Sequence, residues 1–191
     1  MSEILPTHLC APCAERVART LHAGERVLIS GTIVTGRDAA HRRLISLLDA
    51  GEPLPVELTD QIIYYVGPTP APPGFPIGAA GPTTAGRMDA YTPRLIAECG
   101  LRGMIGKGQR RPEVRDACRT YGAVYFGAIG GLAALLSRCI ITADIIAYPD
   151  LGPEAMYRLQ VCNLPVIVIN DTYGNDCYQE GRERYAQASS L

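Results

Sequence analysis

Several short apolar runs in this chain end in glycine, and beyond Gly36 the apolar residues repeat at helical rather than strand spacing. Residues 26–29 and 32–35 are β-rich, Gly36-Arg37-Asp38 breaks the extended pattern, and Ala40, Leu44, Leu47 and Leu48 then share one face up to Gly51. Asp38 is expected to cap that helix, its carboxylate accepting free backbone N–H groups. Further strands are expected at 61–66, 102–105, 123–126, 140–148 and 165–170. Helices are expected after Gly81-Pro82-Thr83-Thr84 up to Gly100, from Pro112 to Gly122, and from Pro153; a short one is expected before His22, where Val17 and Leu21 stand four apart. Between them, Pro68, Pro70, Pro72, Pro73 and Pro76 demand an irregular loop. Strands that alternate with helices imply an α/β fold with a mixed sheet, here as one domain over residues 1–191 with 1–22 as a lead-in.

Net charge is −1, so no global positive field draws the chain to nucleic acid or anionic lipid. Residues 120–137 carry no charge, but glycines at 122, 127, 130 and 131 break them into a strand, a turn and a buried helix rather than a membrane span. Seven cysteines is an odd count, and Met1-Ser2-Glu3-Ile4 lacks the basic flank and apolar run of a signal peptide. Free thiols in a reducing, cytoplasmic compartment are the expectation.

Three glycine turns follow strands and carry a cation or a hydroxyl: Thr35-Gly36-Arg37-Asp38, Gly81-Pro82-Thr83-Thr84 with Arg87, and Gly106-Lys107-Gly108. In α/β proteins ligands gather at the carboxyl ends of strands, where helix N-termini favour anions. Arg37, Arg87 and Lys107 on one edge would suit a small, doubly charged acid, each charge-assisted hydrogen bond contributing roughly 1.5–3 kcal/mol. From spacing alone, surface charges beside turns are the stronger reading.

Other patterns lead elsewhere. Gly106-Lys107 lacks the spacing and the Ser/Thr of a phosphate loop, and Gly127-Ala128-Ile129-Gly130-Gly131 suits a close-packed strand-to-helix turn. Cys10-Ala11-Pro12-Cys13 has no second pair, so zinc is not indicated; an iron–sulfur site with a distant third cysteine stays open beside flexible chain with free thiols. Cys99 and Cys118 sit at core spacing on helices, and His41 is read as structural.

Five segments together resemble the iron–sulfur-dependent hydro-lyases, and in particular the β subunit, or C-terminal domain, of class I fumarate hydratases. They are Gly36-Arg37-Asp38-Ala39-Ala40-His41, Gly81-Pro82-Thr83-Thr84-Ala85-Gly86-Arg87-Met88-Asp89, Met104-Ile105-Gly106-Lys107-Gly108, Tyr148-Pro149-Asp150-Leu151-Gly152-Pro153-Glu154-Ala155 and Asn170-Asp171-Thr172-Tyr173-Gly174-Asn175-Asp176, spread over residues 5–180. The resemblance implies a swivelling β/β/α domain, an open barrel-like mixed sheet flanked by helices. It implies a split active site, in which a partner α subunit binds a 4Fe–4S cluster and this chain binds no metal, the two forming a hetero-oligomer such as α2β2. It implies reversible hydration of fumarate to (S)-malate, a reaction of the tricarboxylic acid cycle, by an enzyme inactive without its partner. On matching positions, Thr83 would exchange the carbon-bound proton, Thr84 would bind or orient substrate, and Arg37, Arg87 and Lys107 would bind its carboxylates. Gln109-Arg110 departs from the Asn-Arg expected of fumarases, which leaves tartrate, mesaconate or another diacid open. A non-catalytic module binding a small diacid with the same cations is the alternative from outside enzymology.

Overall fold

The computed structural model describes residues 5–188; Met1-Ser2-Glu3-Ile4, where a signal peptide was not expected, lie outside the described residues. In chain order the elements are β1 (Thr7–Ala11), α1 (Glu15–Ala18), β2 (Arg26–Thr35), α2 (Asp38–Ala50), β3 (Ile62–Tyr64), α3 (Thr92–Cys99) and β4 (Gly103–Gly106). They continue with α4 (Pro112–Tyr121), β5 (Val124–Gly127), α5 (Ala133–Ser137), β6 (Ile140–Ala147), β7 (Met156–Asn170) and α6 (Cys177–Ala188). Two 3-10 turns, Ala85–Met88 and Pro149–Glu154, complete the list.

β2, β3, β4 and β5 lie side by side and parallel. β7 runs antiparallel and bonds to both β5 and β2, so these five strands close a ring. The α/β architecture with a barrel-like mixed sheet holds, and β7 is the strand that closes it. β2 and β7 are long enough to serve twice. The first half of β2 takes β1 as a parallel neighbour before its end meets β3, and the first half of β7 takes β6 before its end meets β5. β2 bulges against β7 between Ile29 and Gly31, just before its pairing with β1 ends at Gly31. Gly31 has φ 112°, and a Cβ there would lie 2.2 Å from the Ala11 carbonyl oxygen, so only glycine fits the crossing.

Side chains of the ring alternate between two cores. Ile33, Ile62, Tyr64, Ile105, Phe126, Leu159 and Val168 belong to one buried cluster. Val34, Ile63, Tyr65, Met104 and Tyr125 belong to the other, packed with Ala40 and Leu44 of α2, Leu95 and Ile96 of α3, and Val114 and Cys118 of α4. Every residue of β3, β4 and β5 is therefore buried, which is why those strands read as continuous apolar runs. Gly51, Gly100 and Gly122 end α2, α3 and α4 in the left-handed conformation, at the three positions where the sequence placed helix ends.

Several expectations differ from the fold. The segment before His22 holds not only a short helix but β1, in which only Leu9 and Ala11 face the core. Arg37, not Asp38, occupies the cap position of α2; Asp38 is its first helical residue and makes no capping bond. The helix expected after Thr84 is split into the 3-10 turn and α3, whose start is set by Pro93. At Pro153 the helix is reduced to a single 3-10 turn beyond the kink at Gly152 (φ 54°, ψ −119°), closed by Ala155 N to Gly152 O (2.9 Å), and β7 follows at once. In residues 120–137, α5 is short and buries only Leu136; among the described residues no helix is long and apolar enough to cross a membrane.

Candidate active site

The parallel strands end in aligned rows. Thr35, Tyr64, Ile105 and Phe126 form one row across β2, β3, β4 and β5. The next row is Gly36, Tyr65, Gly106 and Gly127, still laced by Gly36 N to Tyr64 O (3.2 Å) and Tyr65 N to Ile105 O (2.8 Å). Beyond it β3 and β4 splay, and residues 83–85 slip between them. Thr83 N donates to Tyr65 O (2.8 Å), Lys107 N to Thr83 O (3.1 Å) and Ala85 N to Lys107 O (2.9 Å), with Thr84 paired to Lys107 as a parallel bridge. Gly106 permits this insertion, because a Cβ there would stand 2.9 Å from the Tyr65 ring and 3.1 Å from Ala85 Cβ.

The structure thus carries all five predicted residues on the carboxyl rim of the parallel strands. Arg37 follows β2. It pairs with Glu154 (3.2 Å) and, more loosely, with Asp38 (3.8 Å), its side chain is 20% exposed, and its Nε is buried without an acceptor. Gly67 lies directly against it, a Cβ there meeting Arg37 Nη1 at 2.8 Å. Thr83 is partly buried, and its hydroxyl donates to Tyr65 O at 2.9 Å. Thr84, Arg87 and Lys107 are exposed; among the described residues neither Arg87 nor Lys107 meets a carboxylate, and Lys107 extends toward Gly130 in the loop after β5. Two cations without a carboxylate partner, one cation paired with Glu154, and a hydroxyl therefore share an edge that an anion can reach.

His41 lies directly beneath, fully buried, with its ring edge-on to Tyr65 at 5.4 Å. Its Nδ1 is 2.8 Å from Arg37 O. A carbonyl only accepts, so Nδ1 carries the proton and Nε2 is the bare nitrogen, buried without a partner. Burial pushes its pKa down to about 4, which keeps the ring neutral. His41 therefore steadies the backbone of Arg37 from below, in keeping with a structural role.

A charged pair that the sequence reading left unassigned sits behind the rim. Arg110 Nε bonds to Asp89 Oδ1 at 2.6 Å, and both side chains are essentially sealed from solvent. The guanidinium lies between the rings of Tyr65 and Tyr125, 5.3 and 4.9 Å from their centres. Both residues fall inside the recognised segments or beside them, yet charged residues in turns carry no signal of burial.

Elsewhere, an apolar groove of about 340 Å³ lined by Leu28, Ile129, Leu132, Leu136 and Ile167 includes none of the three cations, so the rim and the groove are distinct features. The cysteines do not assemble an iron–sulfur site. Cys10 is exposed on β1, whereas Cys13 and Cys118 are buried with thiols pushed up to about 11 and about 12 by burial. Among the described residues no three metal-ligating side chains converge. The described residues therefore offer no gathered set of donors for a cluster, and Cys10 and Cys13 belong to an ordered strand and its buried exit rather than to flexible chain.

Comparison with known proteins gives a consistent picture. Residues 6–181 match the family model described as Fumarase C-terminus. Fumarate hydratase class I, anaerobic, of Escherichia coli is 45% identical over 156 residues, covering 81% of this chain and 28% of that protein. A Geobacillus stearothermophilus protein named as a candidate fumarate hydratase class I is 35% identical over 176 residues, covering 90% of this chain and 33% of its own length. A Methanocaldococcus jannaschii protein named as a candidate L(+)-tartrate dehydratase subunit beta is 36% identical over 167 residues, covering 85% of this chain and 86% of its own length. The chain thus spans about a third or less of the fumarate hydratases it matches.

Proposed function

Because the chain belongs to the Fumarase C-terminus family, a family of hydro-lyases, we propose that it is the β subunit of a two-subunit enzyme that reversibly hydrates fumarate to (S)-malate. The observation that carries this reading is the shared rim of Arg37, Thr83, Arg87 and Lys107 at the ends of β2 and β4. A dianion with a carboxylate at each end needs separated cations, and each charge-assisted bond contributes roughly 1.5–3 kcal/mol. Holding a carboxylate between cations also acidifies the adjacent C–H, because the charge that develops on its loss spreads onto that carboxylate. In the hydration direction Thr83 delivers a proton to carbon; in the reverse direction it removes one. Its hydroxyl donates to Tyr65 O, so delivery to carbon requires the hydroxyl hydrogen to turn away from that carbonyl about the Cβ–Oγ bond. Thr84 orients the substrate beside it.

The rim is half a site. Arg87, Lys107 and Thr84 are exposed, and Phe75 and Ile129, on loops that follow β3 and β5, are 61% and 58% exposed. To take a proton from carbon Thr83 must act as the alkoxide, which the neighbouring cations favour and which survives only where water is excluded. A partner α subunit covering this rim would exclude water and would hold the 4Fe–4S cluster for which the described residues of this chain gather no set of donors; the assembly is α2β2 or similar, in the cytoplasm, and this chain alone is inactive. The tartrate alternative has its own support, since the match to the tartrate dehydratase β protein runs along most of that protein's length.

The test is assembly. The chain is combined under anaerobic conditions with the subunit that supplies the rest of the fumarate hydratase length, and hydration of fumarate and dehydration of L(+)-tartrate are followed side by side. Turnover of fumarate only in the mixture is expected, with KM raised by Arg87→Ala. Turnover of tartrate alone would transfer the reading to tartrate dehydratase. Full activity of either subunit by itself would refute the shared site.

A further inference from the structure

The segments that bear Thr83, Arg87 and Lys107 are all tied to one buried polar cluster. Arg110 Nη2 donates to Thr92 Oγ1 at 2.9 Å, and Thr92 Oγ1 in turn donates to Met88 O at 2.8 Å, at the end of the turn that bears Arg87. Asp89, the next residue, accepts Arg110 Nε on one oxygen and Arg111 N at 2.8 Å on the other. That clamps the turn to the loop that follows Lys107. Tyr125, whose ring flanks the guanidinium, donates its hydroxyl to Gly108 O at 2.9 Å. Tyr65 flanks the other side, and its carbonyl is the acceptor for both the backbone and the hydroxyl of Thr83.

A buried ion pair is poor value as a stabiliser, because desolvating two charges offsets most of their attraction, and well-packed apolar residues do as well or better. What a forked, fully bonded guanidinium supplies is geometry. We propose that Arg110 and Asp89 are positioning residues of the active site. Their pair fixes the 85–88 turn against the 107–111 loop, so that Arg87 and Lys107 keep the separation one dicarboxylate requires. The proposal rests on the diacid reading given above.

The experiment is a double-mutant cycle in the assembled enzyme. Arg87→Ala is made in the unmodified chain and in an Asp89→Asn/Arg110→Met background, which removes both charges and leaves an acceptor for Arg111 N. In the unmodified chain Arg87→Ala is expected to lower kcat/KM about 30-fold, and in the altered background less than about threefold, because Arg87 is already displaced. The same cycle in Thr92→Val, which cuts the links to Arg110 and Met88 without stranding a charge, is expected to show the same sign of coupling and decides the matter if the double substitution does not fold. Equal losses from Arg87→Ala in all backgrounds would overturn the positioning role and leave the diacid site standing. A loss below about threefold in the unmodified chain would overturn the diacid reading itself, and this proposal with it.

Discussion

Gly67→Ala separates a functional contact from a structural one. Gly67 has no positive φ, so alanine brings no backbone strain; the only conflict is with Arg37, whose Nη1 and Cδ would lie 2.8 and 3.3 Å from the new methyl, and with Pro153 O at 3.4 Å. To regain ordinary contact near 3.5 Å the guanidinium must retreat by about 0.7 Å. It cannot do so freely, because its Nη2 is paired with Glu154 at 3.2 Å. The displaced atoms end a flexible side chain, so the cost in stability stays below about 1 kcal/mol. The cost in substrate binding is larger, since a charge-assisted bond contributes roughly 1.5–3 kcal/mol and 1.4 kcal/mol is tenfold. KM for fumarate in the assembled enzyme should therefore rise about 10- to 100-fold while Tm shifts by a few degrees at most. Gly78→Ala is the contrast, because its methyl would lie 2.5 Å from the backbone oxygens of Thr69 and Pro70, so Tm should fall first. An unchanged KM for Gly67→Ala, with normal folding, would remove Arg37 from substrate contact.

Gly31→Ala, with φ 112° and a clash of 2.2 Å against Ala11 O, should destabilise the chain by about 3 kcal/mol or more, read by urea denaturation; a change below 1 kcal/mol would contradict the crossing geometry. Lys107→Met, at an exposed position, should leave Tm within about 2 °C and raise KM about tenfold or more, measured by steady-state kinetics on the assembled enzyme. His41 sets a pH dependence. Its folded pKa is lowered to about 4 by burial, so between its ordinary 6.5 and 4 the unfolded chain binds a proton that the folded chain refuses. Its contribution is complete above pH 6.5 and is lost as pH falls to 4, a loss of about 3 kcal/mol. Denaturation of wild type and His41→Leu at pH 7 and pH 4 should show this loss only in wild type; parallel losses would contradict it.

How well the fold could be read from sequence depended on which faces are buried. β3, β4 and β5 are covered on both sides, so their apolar runs are unbroken and were legible. β1 and the first half of β7 are covered on one side only. Thr7, His8, Cys10, Arg158 and Cys162 face outward, and that dilution hid a strand of five residues and most of one of fifteen. Turns bearing Arg37, Thr83 and Lys107 were legible because glycine, cation and hydroxyl coincide there, and the ring then places them in adjoining rows. The Asp89–Arg110 pair was not. Nothing local distinguishes Arg110, which is sealed, from its neighbour Arg111, which is exposed; only the ring, by bringing Tyr65 and Tyr125 to the same core across β4, creates the slot that takes one and not the other.

The proton that Thr83 is held to move offers the most direct measurement. With assembled enzyme in deuterated water, exchange of the carbon-bound hydrogen of (S)-malate and the inhibition constant for succinate are measured for wild type, Thr83→Ser and Thr83→Ala. Loss of the hydroxyl should slow exchange about 100-fold or more, serine should recover much of it, and succinate should bind within about threefold throughout. Exchange in Thr83→Ala at the wild-type rate, with succinate bound as before, would show that another group moves the proton.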